Sequence, residues 1–562
     1  MSDINQILQT ARMAILSELS AINTSGSNIA NVNTPGYSRV LPIFATQGSV
    51  SAQSNRDQAG VQIAGLERIY DKYLENQIVE QQSNIGYEDV RKEALDRIET
   101  FLNESSTDGL SAMLDKFWGA WNDLAANPSG SAERNALVTV SQSLAAMFQQ
   151  DAGQLLQVQK DADTSIASAL DQINGYAATI AEYNQQITAL EVNGGTANTV
   201  RDNRDELLKK ISELVNVQTV EESNGQLNVY LSNGKPLVMG SSSYNLTTQA
   251  NPDNSNYADI VFDYDRSDVL NDFITGGKVG GYLDIRDVTS VEYFSYLDAV
   301  AANLVNKVNS QHRLGFDSYK NLGGDFFVPA TKAKDMEISS AIVNDPSKIA
   351  ASATVNGDGD NARTLSAVKN DYMYAKVDSI TPSGAGSATA SINTQASAYK
   401  STLNPIVLTR GATAADWAVT DDGGYTGLSV VSADAGRVIL SLDGSGGSDL
   451  TLYLSGAWNN ADTLSLVLTP DDRTATLNGY FDSLVVKVGQ DVSDSGRNQT
   501  RNKAINDQLA TQREAISGVS IDEEMLNLMR YQMAYNAAGK LCTVLQEMVT
   551  TLLNLGNAGA TF

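Results

Sequence analysis

The chain has 562 residues, enough for several domains, and its 39 Lys and Arg against 66 Asp and Glu give a net charge of −27, which opposes wrapping nucleic acid or an anionic bilayer. One cysteine, Cys542, excludes an intrachain disulfide framework and a zinc cage, and one histidine, His312, leaves little for His-dependent chemistry. No apolar run is long enough to span a bilayer, and MSDINQILQTARMAILSELS, with an acid before its first base and no continuous apolar stretch, does not read as a cleavable signal peptide.

The first predicted element is a narrow amphipathic helix, in which Leu8, Ile15, Ile22 and Ile29 recur every seven positions with Ile7, Ala14 and Ala21 beside them. It runs into NIANVNTPGYSRV, residues 28–40, an abrupt stop: Pro35 biases Thr34 away from helical geometry and Gly36 permits a positive φ. Residues 84–127 carry two helical patterns closed by NPSG. No proline follows from 129 to 235, and the near-3.5 spacing from Leu137 to Ile187 predicts a long rod-like helix ended by NGG at 193–195. Another helix is predicted over 201–215, and then 217–239 alternates around two Asn-Gly pairs, a hairpin signal. GGKVGG, 276–281, lacks the spacing of a phosphate loop and reads as a flexible lead into YLDIRD. Helix returns over 285–312. Residues 371–475, rich in Ser, Thr, Gly and Ala, alternate at period two and read as an all-β insertion. Helix resumes from GYFDSLVVKVG, and a second seam closes the chain at Met525, Leu528, Gln532, Tyr535, Leu541, Leu545, Met548, Leu552 and Leu555.

These patterns predict an α+β multidomain fold, an elongated helical-bundle stalk formed by the N- and C-terminal segments with inserted β-rich outer domains. The expected division is 1–60 with 520–562 as a coiled-coil-like inner domain, 61–215 with 282–370 and 476–519 as a helical stalk domain, 216–281 as a β-rich segment and 371–475 as an all-β outer domain. Each terminal helix is too narrow to be stable alone, so the two pack on each other or on copies from other subunits.

Catalytic constellations are scarce. His312 ends a helical pattern, where the helix dipole favours it without any catalytic role, and Cys542 sits on the apolar seam as a small hydrophobe. NGDGDN, 356–361, superficially resembles a calcium loop, but counting from Asn356 puts Asn361 at the sixth position and Ala367 at the twelfth, where Gly and Glu are required. The sequence therefore points to a non-enzyme without catalytic residues, cofactor or metal. Trp417 and Trp458 in the β insertion fit either a core or a sugar-stacking role.

AINTSGSNIANVNTPGYSRV, 21–40, resembles the N-terminal signature of the bacterial flagellar axial proteins (rod, hook and hook-associated), an alanine-aliphatic helix followed by N-N-I-A-N-x-N-T-x-G-Y. Asn28, Ile29, Ala30, Asn31, Asn33, Thr34, Pro35, Gly36 and Tyr37 match it, with Ser27 replacing the first Asn. GGKVGGYLDIRD (276–287), LDAVAANLVNKVNSQHRLGFD (297–317) with GGDFF (323–327), and SGVSIDEEMLNLMRYQMAYNAAGKL (517–541) are similar to the hook-associated members, whereas 371–475 aligns with no pattern of the family. The resemblance implies an extracellular structural adapter of the flagellar hook-filament junction, with paired terminal helices forming an inner tube by helical self-assembly. It implies export through the type III apparatus without a cleaved signal. The implied partners are copies of itself in a helical ring, the hook protein, the second junction protein (hook-associated protein 3) or filament subunits, and an export chaperone at the C-terminal helix, with no nucleic acid and no membrane. Assembly residues carried over are Leu8, Ile15, Ile22, Asn28, Ile29, Asn31, Thr34, Pro35, Gly36 and Tyr37; Met525, Leu528, Tyr535, Leu541, Leu545, Met548, Leu552 and Leu555 would serve assembly or the chaperone. Two alternatives stand beside it: another axial protein such as the hook protein, and an adhesin or carbohydrate-binding module in the β insertion.

Overall fold

The computed structural model describes residues 2–46, 60–102, 109–192, 195–371, 375–383, 389–392, 406–413, 416–422, 428–433, 437–441, 450–455, 458–470 and 476–558. In chain order, α1 (Ser2–Ala30) leads into the strands β1 (Val40–Thr46) and β2 (Val61–Arg68), then α2 (Lys72–Phe101), α3 (Leu110–Ala126), α4 (Ser131–Glu191) and α5 (Asn198–Leu214). Six strands follow: β3 (Val217–Glu221), β4 (Leu227–Leu231), β5 (Pro236–Met239), β6 (Ser242–Ser243), β7 (Leu246–Ala250) and β8 (Ala258–Phe262). Helices α6 (Gly277–Leu283) and α7 (Ser290–His312), joined by a π-helical turn over Asp284–Thr289, precede the short α8 (Ser340–Asn344) and α9 (Asp360–Ala367). The β insertion holds β9 (Ala375–Ser383), β10 (Thr389–Ile392), β11 (Ile406–Arg410), β12 (Trp417–Asp422), β13 (Ser429–Ala433), β14 (Arg437–Ser441), β15 (Leu450–Ser455) and β16 (Thr463–Pro470); α10 (Leu477–Ser517) and α11 (Ile521–Ala558) complete the chain.

These elements gather into two compact units, one from 1–92, 162–284 and 495–562, the other from 93–161 and 285–494. In the first, α1 packs along α11 and against the β1–β2 hairpin, which pairs antiparallel from Val40↔Arg68. The second half of α4 supplies Ile166, Leu170, Ile173, Ala177 and Ile180 to a core shared with Leu208 and Ile211 of α5 and with Val229, Leu237, Val238, Ile260 and Phe262 of the strands. Asn184 breaks this apolar row, and its buried carboxamide donates to the carbonyls of Leu227 and Gly240 and accepts the Leu227 N–H at 3.0 Å. One asparagine thus satisfies three backbone groups where β4 meets α4.

GGKVGG is not a flexible lead. It forms the start of α6, seated so closely on its neighbours that a Cβ at Gly277, whose φ is +69°, would lie 2.4 Å from the Leu214 carbonyl carbon. Gly86 faces Glu213 in the same way, with 2.0 Å between an added Cβ and the Glu213 oxygen. The glycines are there for backbone contact.

In the second unit, Phe117 and Trp121 of α3 stack with Phe326, and His312 lies edge-on to Trp121 and Phe326. Arg134 staples this unit by donating to the carbonyls of Pro128, Pro346, Ser347 and Ile349. The β insertion is two four-stranded sheets, ordered β10-β15-β14-β13 and β12-β11-β16-β9. Ile406, Leu408, Trp417, Leu464 and Leu466 from one sheet meet Val438, Leu440 and Leu452 from the other, which makes a sandwich with its own core.

Candidate functional site

The first unit brings the two ends of the chain together. Beyond Ala30 the polypeptide closes a turn in which the Thr34 carbonyl accepts the Tyr37 N–H at 3.2 Å, with Pro35 and Gly36 between them. Gly36 has a φ of +78°. Proline first and a left-handed glycine second make a type II turn, which reverses the chain out of α1. Asn31 supports it, donating from its side chain to Ser27 O at 2.9 Å and accepting from the Thr34 hydroxyl at 3.2 Å.

Asn28 locks the strand that leaves. Fully buried, it donates to Val40 O at 2.9 Å and accepts the Val40 N–H at 3.1 Å, so its carboxamide pairs with β1 as a neighbouring strand would. The Tyr37 hydroxyl donates to the same Asn28 oxygen at 2.8 Å. Burial, with Asp202 and Glu524 nearby, raises the Tyr37 phenol, which keeps it protonated as a donor.

From the far end of the chain, Arg513 on α10 reaches this turn. Its Nη2 donates to Gly36 O at 2.8 Å, while its Nε pairs with Glu75 at 2.6 Å and Lys209 holds the other Glu75 oxygen at 3.1 Å. All three carriers of charge are largely shielded from water, so removing one would strand the others. Ser38 N–H donates to Asp202, which with Asp205 also holds Arg68 at 2.8 Å. Burial opposes the Arg68 charge, but the two carboxylates outweigh it and raise the guanidinium; burial raises the Asp205 carboxyl. Arg39 then joins the two ends of the chain directly: its N–H donates to Ser517 O at 2.8 Å and its guanidinium meets Glu523 at 2.5 Å.

On α11, Glu524 and Leu545 are buried and Leu528, Tyr531, Ala534, Ala538, Cys542 and Val549 half-buried, at three- and four-residue steps that trace the seam against α1. Of the residues singled out in the C-terminal helix, Leu528 and Leu545 lie on this seam. Met525, Tyr535, Leu541, Met548 and Leu552 are exposed, and the Leu555 side chain lies outside the described residues. The exposed set continues through Leu526, Met529, Met533 and Val544 as an apolar stripe. On the N-terminal side, Ile15, Ile22 and Ile29 are half-buried, Leu8 is exposed with Leu16 and Leu19, Thr34 and Pro35 are exposed, and Asn31, Gly36 and Tyr37 are half-buried.

Sequence reasoning missed Arg513, Glu75, Asp202 and Arg68, because isolated charges in a chain this acidic carry no local signal. His312 is a structural pin: fully buried, its Nδ1 donates to Gly324 O at 2.7 Å and its Nε2 accepts the Ala350 N–H at 2.8 Å. Asp358 of NGDGDN accepts the N–H groups of Ala353, Thr354 and Asp360 and the Thr354 hydroxyl, hydrogen bonds that lower its carboxyl to about 2. Its oxygens are engaged in holding a turn. No helix among the described residues is long and apolar enough to cross a membrane.

Comparison with known proteins converges on the same two ends. The family described as "Flagella basal body rod protein" matches residues 8–37 and "Flagellar basal body rod FlgEFG protein C-terminal" matches 511–555, the segments that hold the turn and the Arg513 clamp. "Flagellar hook-associated protein FlgK helical domain" matches 95–327. Flagellar hook-associated protein 1 of Escherichia coli (strain K12) is 25% identical over 98% of this chain and 100% of its own length. Its namesake from Bacillus subtilis (strain 168) is 24% identical over 97% of each. The solved flagellar hook junction protein FlgK from Burkholderia pseudomallei shares the fold, with a TM-score of 0.53 at 19% identity over 79% of this chain and all of that one. Hook-associated protein 1 sequences thus match the chain along nearly its whole length, and the family of that protein's helical domain matches it at 95–327.

Proposed function

We propose that this chain is a structural component of the bacterial flagellum that joins the hook to the filament by stacking copies of itself helically at the hook tip. The single observation that carries the mechanism is the pair α1 and α11, whose seam buries Leu545 while an apolar stripe from Met525 to Leu552 stays exposed in one copy. Repeating that stripe against neighbouring subunits adds a modest burial per contact to every contact of a tube. Residues 1–60 with 520–562 would form its inner domain, and the turn at Thr34–Tyr37 is where the chain leaves it.

The hook protein on one side and hook-associated protein 3 or filament subunits on the other are the neighbours this reading assigns. An export chaperone would cover the α11 stripe before assembly, and the type III apparatus would carry the chain out. A structural role agrees with His312 and Asp358 being occupied in holding their own folds. The adhesin alternative draws no support from the tryptophans, since Trp417 is buried in the sandwich and edge-on to Trp458 at 5.2 Å.

Deleting the gene for this chain tests the reading. Hooks without filaments, with filament subunits released into the medium, are expected. Cells without hooks would assign it to the hook instead, and normal filaments and swimming would exclude an axial role.

A further inference from the structure

Four of the chain's 11 methionines lie within the 38 residues of α11. Met525, Met529 and Met533 follow one another at four-residue steps, which sets them on one ridge of the helix, and Met548 extends the exposed face towards the C-terminal end. Each is about half exposed or more, and none belongs to the row of Leu528 and Leu545 against α1. Elsewhere Met13, Met113 and Met147 are half-buried and Met336 is fully buried. Among the described residues, only Met239 on β5 is as open as the α11 set.

Leucine fills nearly the same volume and would serve an apolar stripe as well. What methionine adds is an unbranched, adaptable side chain and a thioether that oxidises. Hydrogen peroxide transfers one oxygen atom to the sulfur: an S–O bond forms, the O–O bond breaks, the sulfur gives up two electrons and the peroxide leaves as water. The sulfoxide is a polar acceptor where an apolar side chain stood, and covering it against an apolar partner costs its hydration.

We infer that Met525, Met529, Met533 and Met548 are an oxidation site that gates assembly: peroxide converts them to sulfoxides in the free chain, and a chain so modified does not join until the sulfoxides are reduced. The inference rests on the self-assembly proposed above, in which this face is open before the copies stack and covered afterwards. The modification is reversible, because each sulfoxide epimer has its own methionine sulfoxide reductase.

The test adds purified full chain, treated with hydrogen peroxide and then freed of it, to cells of the deletion strain and counts those that regain filaments. Mass spectrometry of the treated chain should show sulfoxide at the four positions roughly tenfold ahead of buried Met336. Filaments should return roughly tenfold less often than with untreated chain, since an oxidised stripe is polar. The two reductases should reverse that loss, and dithiothreitol, which reduces an oxidised Cys542 but no sulfoxide, should not. A chain carrying Met525→Leu, Met529→Leu, Met533→Leu and Met548→Leu, compared with its own untreated preparation, should be insensitive to the treatment. If that variant joins hooks poorly even untreated, reversal by the reductases decides. Equal joining by oxidised and untreated chain, a loss that the reductases leave in place, an equal loss in the leucine variant, or equal oxidation of Met336 overturns the proposal. Normal swimming of the deletion strain would instead remove the adapter reading itself.

Discussion

Asn28 does with one side chain what a strand does with its backbone, so its loss is felt at β1. Asn28→Ala leaves the Val40 N–H and the Tyr37 hydroxyl without their acceptor in a buried place, a cost of about 2–3 kcal/mol; exchange of the Val40 amide should accelerate roughly 30-fold or more, and an unchanged rate would deny the locking role. Gly36→Ala is milder. Its φ of +78° disfavours a side chain by about 1–2 kcal/mol, while the Glu206 carboxylate that an added Cβ would meet at 2.9 Å is a flexible end that can move. A drop in urea midpoint larger than that expectation would mean the turn is held more rigidly than its contacts require. For His312, burial lowers the pKa to about 4 from the ordinary 6.5. The unfolded chain therefore binds the proton first, so stability is full above about pH 6.5 and falls as pH drops towards 4, by roughly 3 kcal/mol in all. Urea unfolding followed by tryptophan fluorescence at pH 7 and pH 4.5 should show that loss, and His312→Gln should flatten it. The turn was legible in the sequence because Pro-Gly chemistry is local. The Asn28–Val40 pairing and the Arg513 clamp were not, because their partners are fixed only by the tertiary path.

At the scale of elements, the long helices were plain from periodicity. Leu144, Leu155, Ile166, Ile173, Ile180 and Ile187 along α4 are all fully buried, as a sustained apolar row requires. The glycine-rich lead was misread, since composition alone does not distinguish a flexible glycine from one that lets two backbones touch. For α11 the sequence pattern merged two faces into one seam, the buried row of Leu528 and Leu545 and the exposed row of Met525, Leu541, Met548 and Leu552. Both rows are apolar, and a helical pattern does not say which neighbour covers which row. The two faces predict different phenotypes. Leu545→Ala should loosen the pair by about 2–4 kcal/mol and lower the helical signal of the free chain. Leu552→Gln should leave that signal unchanged while cells lose filaments. Swimming cells with Leu552→Gln would show that the exposed stripe is not needed for assembly.

In the whole molecule, the β sandwich keeps a core of its own, from Ile406 to Leu466. Replacing residues 372–475 with a short Gly-Ser link should leave the urea midpoint of the remaining chain unchanged and hook-filament joining intact; loss of filaments would give the insertion an assembly role. The contacts between the ends of the chain carry a different consequence, one of order in time. Asn28 meets a partner 12 residues away, whereas Arg39 meets Glu523 across 484. Closing the larger loop costs about 3 kcal/mol more in chain entropy, and the contact cannot exist before the last tenth of the polypeptide is present. Pairing of α1 with α11 therefore waits for the C-terminal segment, and a chain that advances from its N-terminus travels without its terminal seam until almost all of it has arrived.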